Sequence, residues 1–197
     1  MPADFSGSWE RDYSRGDDIQ GALNQVVMER NREIQMRQQA PSNARVGNVA
    51  GISRRELGNY IALARLVEEI TRPDVLTISQ DNYEIRVARK DDFSMSCTFH
   101  DGVAQGTESV YGTEVCGWEG KDLVSHLILP GLQITHRFTI SPDSDHMRVI
   151  TTATSAQTSK PIRLHRYYMR FDAPPSAFNC IETLSMKRVC STAEIQP

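Results

Sequence analysis

Two hydrophobic periods divide the chain. Between Asp17 and Gln39, the residues Ile19, Leu23, Val26, Val27, Arg30 and Ile34 recur at helical spacing, and Leu57, Tyr60, Ile61, Ala64 and Val67 do the same between Ser53 and Arg72. These patterns predict helices over 17–39 and 53–72. Asp17 and Asp18 suit the first turn of a helix, where free backbone N–H groups attract carboxylates, and Pro41 marks the stop. The second helix opens on Ser53-Arg54-Arg55-Glu56, a capping box in which Ser and Glu satisfy each other's exposed donors. It closes at Thr71-Arg72, because the residue before Pro73 is pushed out of the helical region. The intervening "PSNARVGNVAG" is a loop of small and polar residues.

After Asp74 the period drops to two. The strand candidates are residues 75–79, 83–89, 93–99, 108–118, 123–129, 133–140, 147–154 and 162–171, parted by "QDN", "HDG", "EGKD", "PG" and "SPDSDH". With "DFSGSWERD" as an opening strand, the pattern predicts a mainly β fold with two helices. Its sheet is up-and-down and antiparallel, closed into a barrel of about 8–9 strands to remove its edges, with the helix pair inserted after the first strand. The barrel domain covers 1–172, and 173–197 form a C-terminal tail too short for a second domain.

Composition narrows the function classes. A chain of 197 residues with 39% hydrophobic content can bury one sizeable core. Lys and Arg total 22 against 25 acids, so the net charge of −3 supplies no electrostatic case for nucleic acid or an anionic membrane as the main partner. Apolar runs such as "LVSHLILPGL" are broken by His126 and Pro130 and fall short of a span of about 20 residues, so no transmembrane helix is expected. Met1-Pro2-Ala3 opens no secretory signal, as in a cytosolic chain or in one whose export signal has been removed and replaced by Met1.

The four cysteines lack Cys-x-x-Cys spacing, which leans toward disulfides and away from zinc or redox sites. Of three connectivities, the favoured one joins Cys97 to Cys116 on successive strands and Cys180 to Cys190 within the tail. The alternative is four buried free thiols.

With "FSGSW" at the start, a two-helix insertion, a meander of strands and a closing "RLHRYYMRF", the chain resembles the lipocalin-like group of the calycin superfamily. In order of elements the resemblance spans Phe5 to Phe171. It implies that Gly7 and Trp9 begin the first strand and that an arginine near the end of the last strand packs across the indole to close the barrel's base. Arg166 is the choice for that arginine, with Arg163 and Arg170 as rivals; a cation over the indole contributes about 0.5–2 kcal/mol. "GWEGKDLV" and "RLHRYYMRFD" also look like bacterial periplasmic or lipid-anchored lipocalin-like proteins of unassigned activity. The resemblance thus implies a periplasmic or outer-membrane-anchored location, with the cytoplasm as the lesser alternative. Two helices after the first strand depart from typical lipocalins. That order is closer to intracellular fatty-acid-binding proteins, whose helix-turn-helix covers the barrel mouth and whose closing Arg-x-Tyr holds a carboxylate. The helices here are longer, suited to packing along the barrel wall or joining a homodimer.

Alternation along the closing strand puts Ile162, Leu164, Arg166, Tyr168 and Arg170 on one face. With that face inward, Arg166 and Tyr168 are candidates to meet an anionic head group in an apolar cavity; the plainer reading is that Arg166 only stacks on Trp9. Trp118, in "CGWEG", is either a further ligand contact or a packed aromatic at a strand end. A three-residue loop at Pro130-Gly131 would set His126 opposite His136, the beginning of a metal site, but no third ligand is evident and two ordinary histidines are favoured. No Gly-x-Ser-x-Gly, His-Glu-x-x-His or phosphate loop is present, and "HDG" at 100–102 reads as a turn. Met28, Met36, Arg30, Arg32 and Arg37 give the first helix either an adaptable interaction face or a solvated one.

The resulting expectation is a non-catalytic protein without cofactor or metal that binds a small hydrophobic or amphipathic, lipid-like ligand. The alternative is an interaction module with a filled barrel and a helix-mediated homodimer, and a lesser one is an enzyme on a calycin barrel.

Overall fold

The computed structural model describes residues 3–39, 51–89, 92–100, 103–104, 106–109, 112–171, 178–182 and 188–192. Nine main antiparallel strands form a nearly closed barrel: β1 (Gly7–Arg11), β2 (Val75–Gln80), β3 (Glu84–Arg89), β4 (Asp92–His100), β7 (Gly112–Glu119), β8 (Asp122–Leu129), β9 (Leu132–Ile140), β10 (His146–Ser155) and β11 (Ile162–Phe171). Two short strands, β5 (Val103–Ala104) and β6 (Thr107–Ser109), extend the ends of the sheet. The order is β5-β4-β3-β2-β1-β11-β10-β9-β8-β7-β6, so the first strand joins the last barrel strand to β2. A run expected as one strand over 108–118 contains a reversal, with Ser109 of β6 opposite Gly112 of β7. The run is rich in β-forming residues on both sides of the reversal, and Gly112, at φ +141°, is the turn residue that marks it.

The seam therefore lies between the β4/β5 and β6/β7 ends. Cys97 of β4 and Cys116 of β7 are disulfide-bonded across it, with Cα atoms 5.8 Å apart. The expectation that these cysteines sit on successive strands is corrected: they stand on the two sides of the barrel's opening, and the bridge fastens it.

Helix α1 spans Ile19–Gln39 and α2 spans Arg54–Ile70. Asp18 caps α1 by accepting from the backbone N–H of Gln20 and Gly21. Asp17 stays outside the helix, because its Oδ2 accepts from His165 N–H of β11 at 2.9 Å. In α2 only half of the expected capping box forms: Ser53 Oγ accepts from Glu56 N–H, but the Glu56 carboxylate turns to Arg30 Nε at 2.8 Å. A cross-helix ion pair outcompetes the reciprocal cap.

The stripe Tyr60, Leu63, Ala64 and Val67 of α2 packs on Ile134, Ala153, Ile162 and Leu164, the inward-facing residues at one end of β9, β10 and β11, with Val26 of α1 beside them. The helices thus close the barrel's mouth; the expectation that they lie along its wall is corrected. A second apolar cluster fills the other end and includes Phe5, Trp9, Phe99, Leu123, Phe138 and Met147. The C-terminal strands β12 (Phe178–Glu182) and β13 (Arg188–Thr192) pair with Cys180 opposite Cys190. The side chains of that pair, and so the expected second disulfide, lie outside the described residues.

Candidate functional site

Between the two apolar clusters runs a polar belt. Register places Ser125, His136 and Thr151 directly opposite one another across β8, β9 and β10, so all three share one face, and their burial shows that this face is the inner one. Ser125 and Thr151 are fully buried and His136 nearly so. His136 Nδ1 hydrogen-bonds Thr151 Oγ1 at 2.9 Å, and Ser125 Oγ donates to Glu114 Oε1 at 2.9 Å. Buried hydroxyls and imidazoles need such partners, since an unpaired polar group in an apolar interior costs about 1–3 kcal/mol.

β11 completes the belt with Arg166, only 4% exposed. Its guanidinium donates from Nη2 to Glu68 Oε2 of α2 at 2.8 Å and from Nη1 to the Asp17 carbonyl. Nε is buried with no acceptor among the described residues. Burial pulls the pKa of Arg166 below the usual guanidinium value and Arg11 adds to that, while Glu68 pulls the other way. The group stays charged, because an arginine pKa starts so high.

Arg166 borders two spaces. On the inner side is a cavity of about 20 Å³, lined by Arg166, Tyr168, His136 and Thr151 together with apolar residues such as Phe138 and Val149. That is room for one water molecule. On the outer side a cleft of about 260 Å³ opens at the mouth, lined by Arg11, Tyr13, Asp17, Asp18, Glu68 and Arg166. The Arg166–Glu68 pair stands between them.

The site residues expected from sequence fall into separate places. Arg166 and Tyr168 share the inner cavity, and the Tyr168 hydroxyl donates to the Pro73 carbonyl at 3.3 Å. Trp118 is not among that cavity's lining. Its ring sits 5.9 Å from Phe5 and 6.1 Å from Phe99, in the aromatic packing at the base.

The assignment of Arg166 to the Trp9 ring is corrected. Arg170 lies there, its guanidinium carbon 4.3 Å from the ring centroid, because Trp9 of β1 pairs directly with Arg170 of β11. Arg170 also donates to the Ser144 carbonyl at 2.9 Å and to the Ser6 carbonyl. Gly7 has a reason in this arrangement: its φ is +123°, and a Cβ there would stand 2.6 Å from Arg170 Nη1. Arg163 is exposed on the outer face.

The opposition of His126 and His136 is corrected as well. Leu129 pairs with Leu132, so the Pro130-Gly131 turn has two residues, with Gly131 at φ +72°. The shift by one residue sends His126 outward, beside Thr135, while His136 points in.

Glu68, Thr151 and Asp17 were not expected at this site. Glu68 was legible, since it continues the Tyr60, Leu63, Ala64, Val67 stripe at the next core-facing position, and a carboxylate there calls for a cation.

No family model matches the chain, and no curated protein does. Among solved structures, a secretory abundant heat soluble protein from Ramazzottius varieornatus is 10% identical over 85% of this chain and 95% of its own, with a TM-score of 0.42. The fluorescent protein UnaG is 14% identical over 85% of this chain and 97% of its own, also with a TM-score of 0.42. At such low likeness nothing those proteins do transfers to this chain. Its architecture, an up-and-down antiparallel barrel with two helices after the first strand, stands on its own strand order, register and helix placement.

Proposed function

We propose that the barrel is a non-catalytic binding protein for a small amphipathic molecule with an anionic head group, of the lipid or fatty-acid kind. The observation that carries this reading is a charged guanidinium, Arg166, buried in a polar belt between two apolar clusters, next to Tyr168, His136 and Thr151. Burying a charge is costly unless its partners are good, and Arg166 keeps one N–H without an acceptor among the described residues. A carboxylate or similar oxyanion would accept from Arg166, and from Tyr168 once its hydroxyl turns from the Pro73 carbonyl, and its apolar tail would lie toward Phe138 and the aromatic floor of Phe5, Phe99 and Trp118. The inner cavity has room for one water, so the tail enters only as α2 withdraws and Glu68 releases Arg166. Desolvation of the tail supplies the driving force, about 25 cal/mol per Å² of apolar surface buried.

The location that goes with this reading is the bacterial envelope, periplasmic or outer-membrane-anchored. Its support is the Cys97–Cys116 bridge, a bond that persists in oxidising compartments. A fluorescent hydrophobic probe should bind at one per chain and be displaced by fatty acids. Absence of saturable binding would count against the proposal.

The small inner cavity favours a second reading, a barrel filled by its own side chains whose helices form a homodimer. Met28 and Met36 of α1 are 64% and 66% exposed, as an unpartnered interaction face would be. Light scattering decides between them: a monomer that binds the probe supports the first reading, and a dimer that binds none supports the second.

A further inference from the structure

On the outer wall, away from the barrel interior, β9, β10 and β11 carry a second cleft of about 370 Å³. Its lining includes Arg15, Thr139, His146, Arg148 and Tyr167, and no carboxylate. The mouth cleft, by contrast, contains Asp17, Asp18 and Glu68, and a third cleft beside α1 contains Asp17 and Glu29. In a chain with net charge −3, a cleft lined by two arginines and no acid is a local reversal of sign.

The arginines are also uncommitted. Arg148 stands directly between Thr139 and Tyr167 in the sheet register. Its Nε and the Thr139 Oγ1 are both buried, and neither has a hydrogen-bond partner among the described residues. Arg15 stacks over the Tyr167 ring, with its guanidinium carbon 4.5 Å from the centroid, and makes no ion pair among the described residues. The Asp12 pKa falls mainly through the Ser14 hydroxyl, with smaller electrostatic contributions from Arg15 and His146. Asp143 is likewise held by the Ser141 hydroxyl and by Asp145 N–H. Two such polar atoms on neighbouring strands mark this wall as one whose polar groups are not satisfied by the described residues.

We infer that this cleft is a second binding site, for the oxyanion of a small organic phosphate or sulfonate. The oxyanion would accept from the guanidinium N–H groups that Arg148 and Arg15 present to the cleft. Ile140 and Pro142, on the same lining, give apolar contact for the rest of the molecule. Arginine suits this task because its planar fork donates two parallel hydrogen bonds to such a group.

The test is a titration of the folded protein with phenyl phosphate, followed through the backbone amide signals of Thr139, Arg148 and Tyr167 by NMR. Inorganic phosphate in a parallel titration separates recognition of the oxyanion from recognition of the organic part. Saturable shifts at those three amides are expected, with affinity falling at least about tenfold in Arg148→Gln and in Arg15→Gln, and unchanged in Arg163→Gln. Arg15 is exposed and its substitution leaves the wall intact, so a folding defect in Arg148→Gln cannot hide the answer. Shifts that do not saturate, or that persist unchanged in both arginine variants, would overturn the inference.

Discussion

Removing the Cys97–Cys116 bridge tests how the barrel is held shut. Among the described residues no ladder joins the β4/β5 end to the β6/β7 end, so the disulfide is the covalent tie across the seam. The bridged residues are 19 apart in sequence. Closing a loop of that size removes about 11 cal/mol/K of entropy from the unfolded chain, or about 3 kcal/mol at 25 °C. For a domain of this length that corresponds to a fall of about 6–12 °C in Tm. Thermal unfolding followed by circular dichroism should show this drop in Cys97→Ala/Cys116→Ala, and again in the unaltered protein under reductant. The two arms differ in what they remove, since alanine also leaves small voids where buried sulfur stood. A common drop therefore belongs to the cross-link. If both arms change Tm by less than about 2 °C, the seam is held by something else and the assigned role of the bridge is wrong.

Three further outcomes follow from the same structure. Arg170→Met should cost about 1–3 kcal/mol in urea unfolding, through the lost cation–π contact and charged hydrogen bonds, whereas Arg163→Met on the exposed face should cost less than about 0.5 kcal/mol; equal effects would contradict the placement over Trp9. Trp9→Ala should cost about 3–5 kcal/mol and lower stability before it affects binding, measured at a temperature where the variant is still folded. Asp81 is held below the usual carboxylate pKa by the backbone N–H groups of Tyr83 and Glu84, so the stability it contributes is present above the ordinary carboxylate range and lost as the pH falls through its folded value. Asp81→Asn should flatten the acid limb of a stability–pH profile; an unchanged limb would remove that residue from the account.

Much of this was readable from local pattern. Period two after Asp74, the Ser53 cap and the inward parity of Arg166 and Tyr168 depend on a residue and its near neighbours, and these emerged where the pattern put them. What escaped depends on register between distant segments. Arg166 and Arg170 share a face of β11 and are equivalent until the offset of β1 is known, and that offset pairs Trp9 with Arg170. Likewise one residue in the Pro130-Gly131 turn decides whether His126 faces its counterpart or the solvent. Glu56 and Glu68 mark a different limit: a carboxylate's partner is set by which tertiary cation arrives, here Arg30 and Arg166, and local capping rules cannot see it. The seam shows the same limit, since Cys97 and Cys116 look like neighbours along the chain but hold together opposite ends of the sheet.

The central claim is that Arg166 anchors a ligand's anionic head inside the barrel, and calorimetric titration with a long-chain fatty acid, using the unaltered protein and Arg166→Gln side by side, tests it most directly. The account predicts saturation at one per chain for the unaltered protein, and an affinity at least about tenfold weaker for a folded Arg166→Gln. No saturable heat with the unaltered protein, or the same affinity in both, would contradict it.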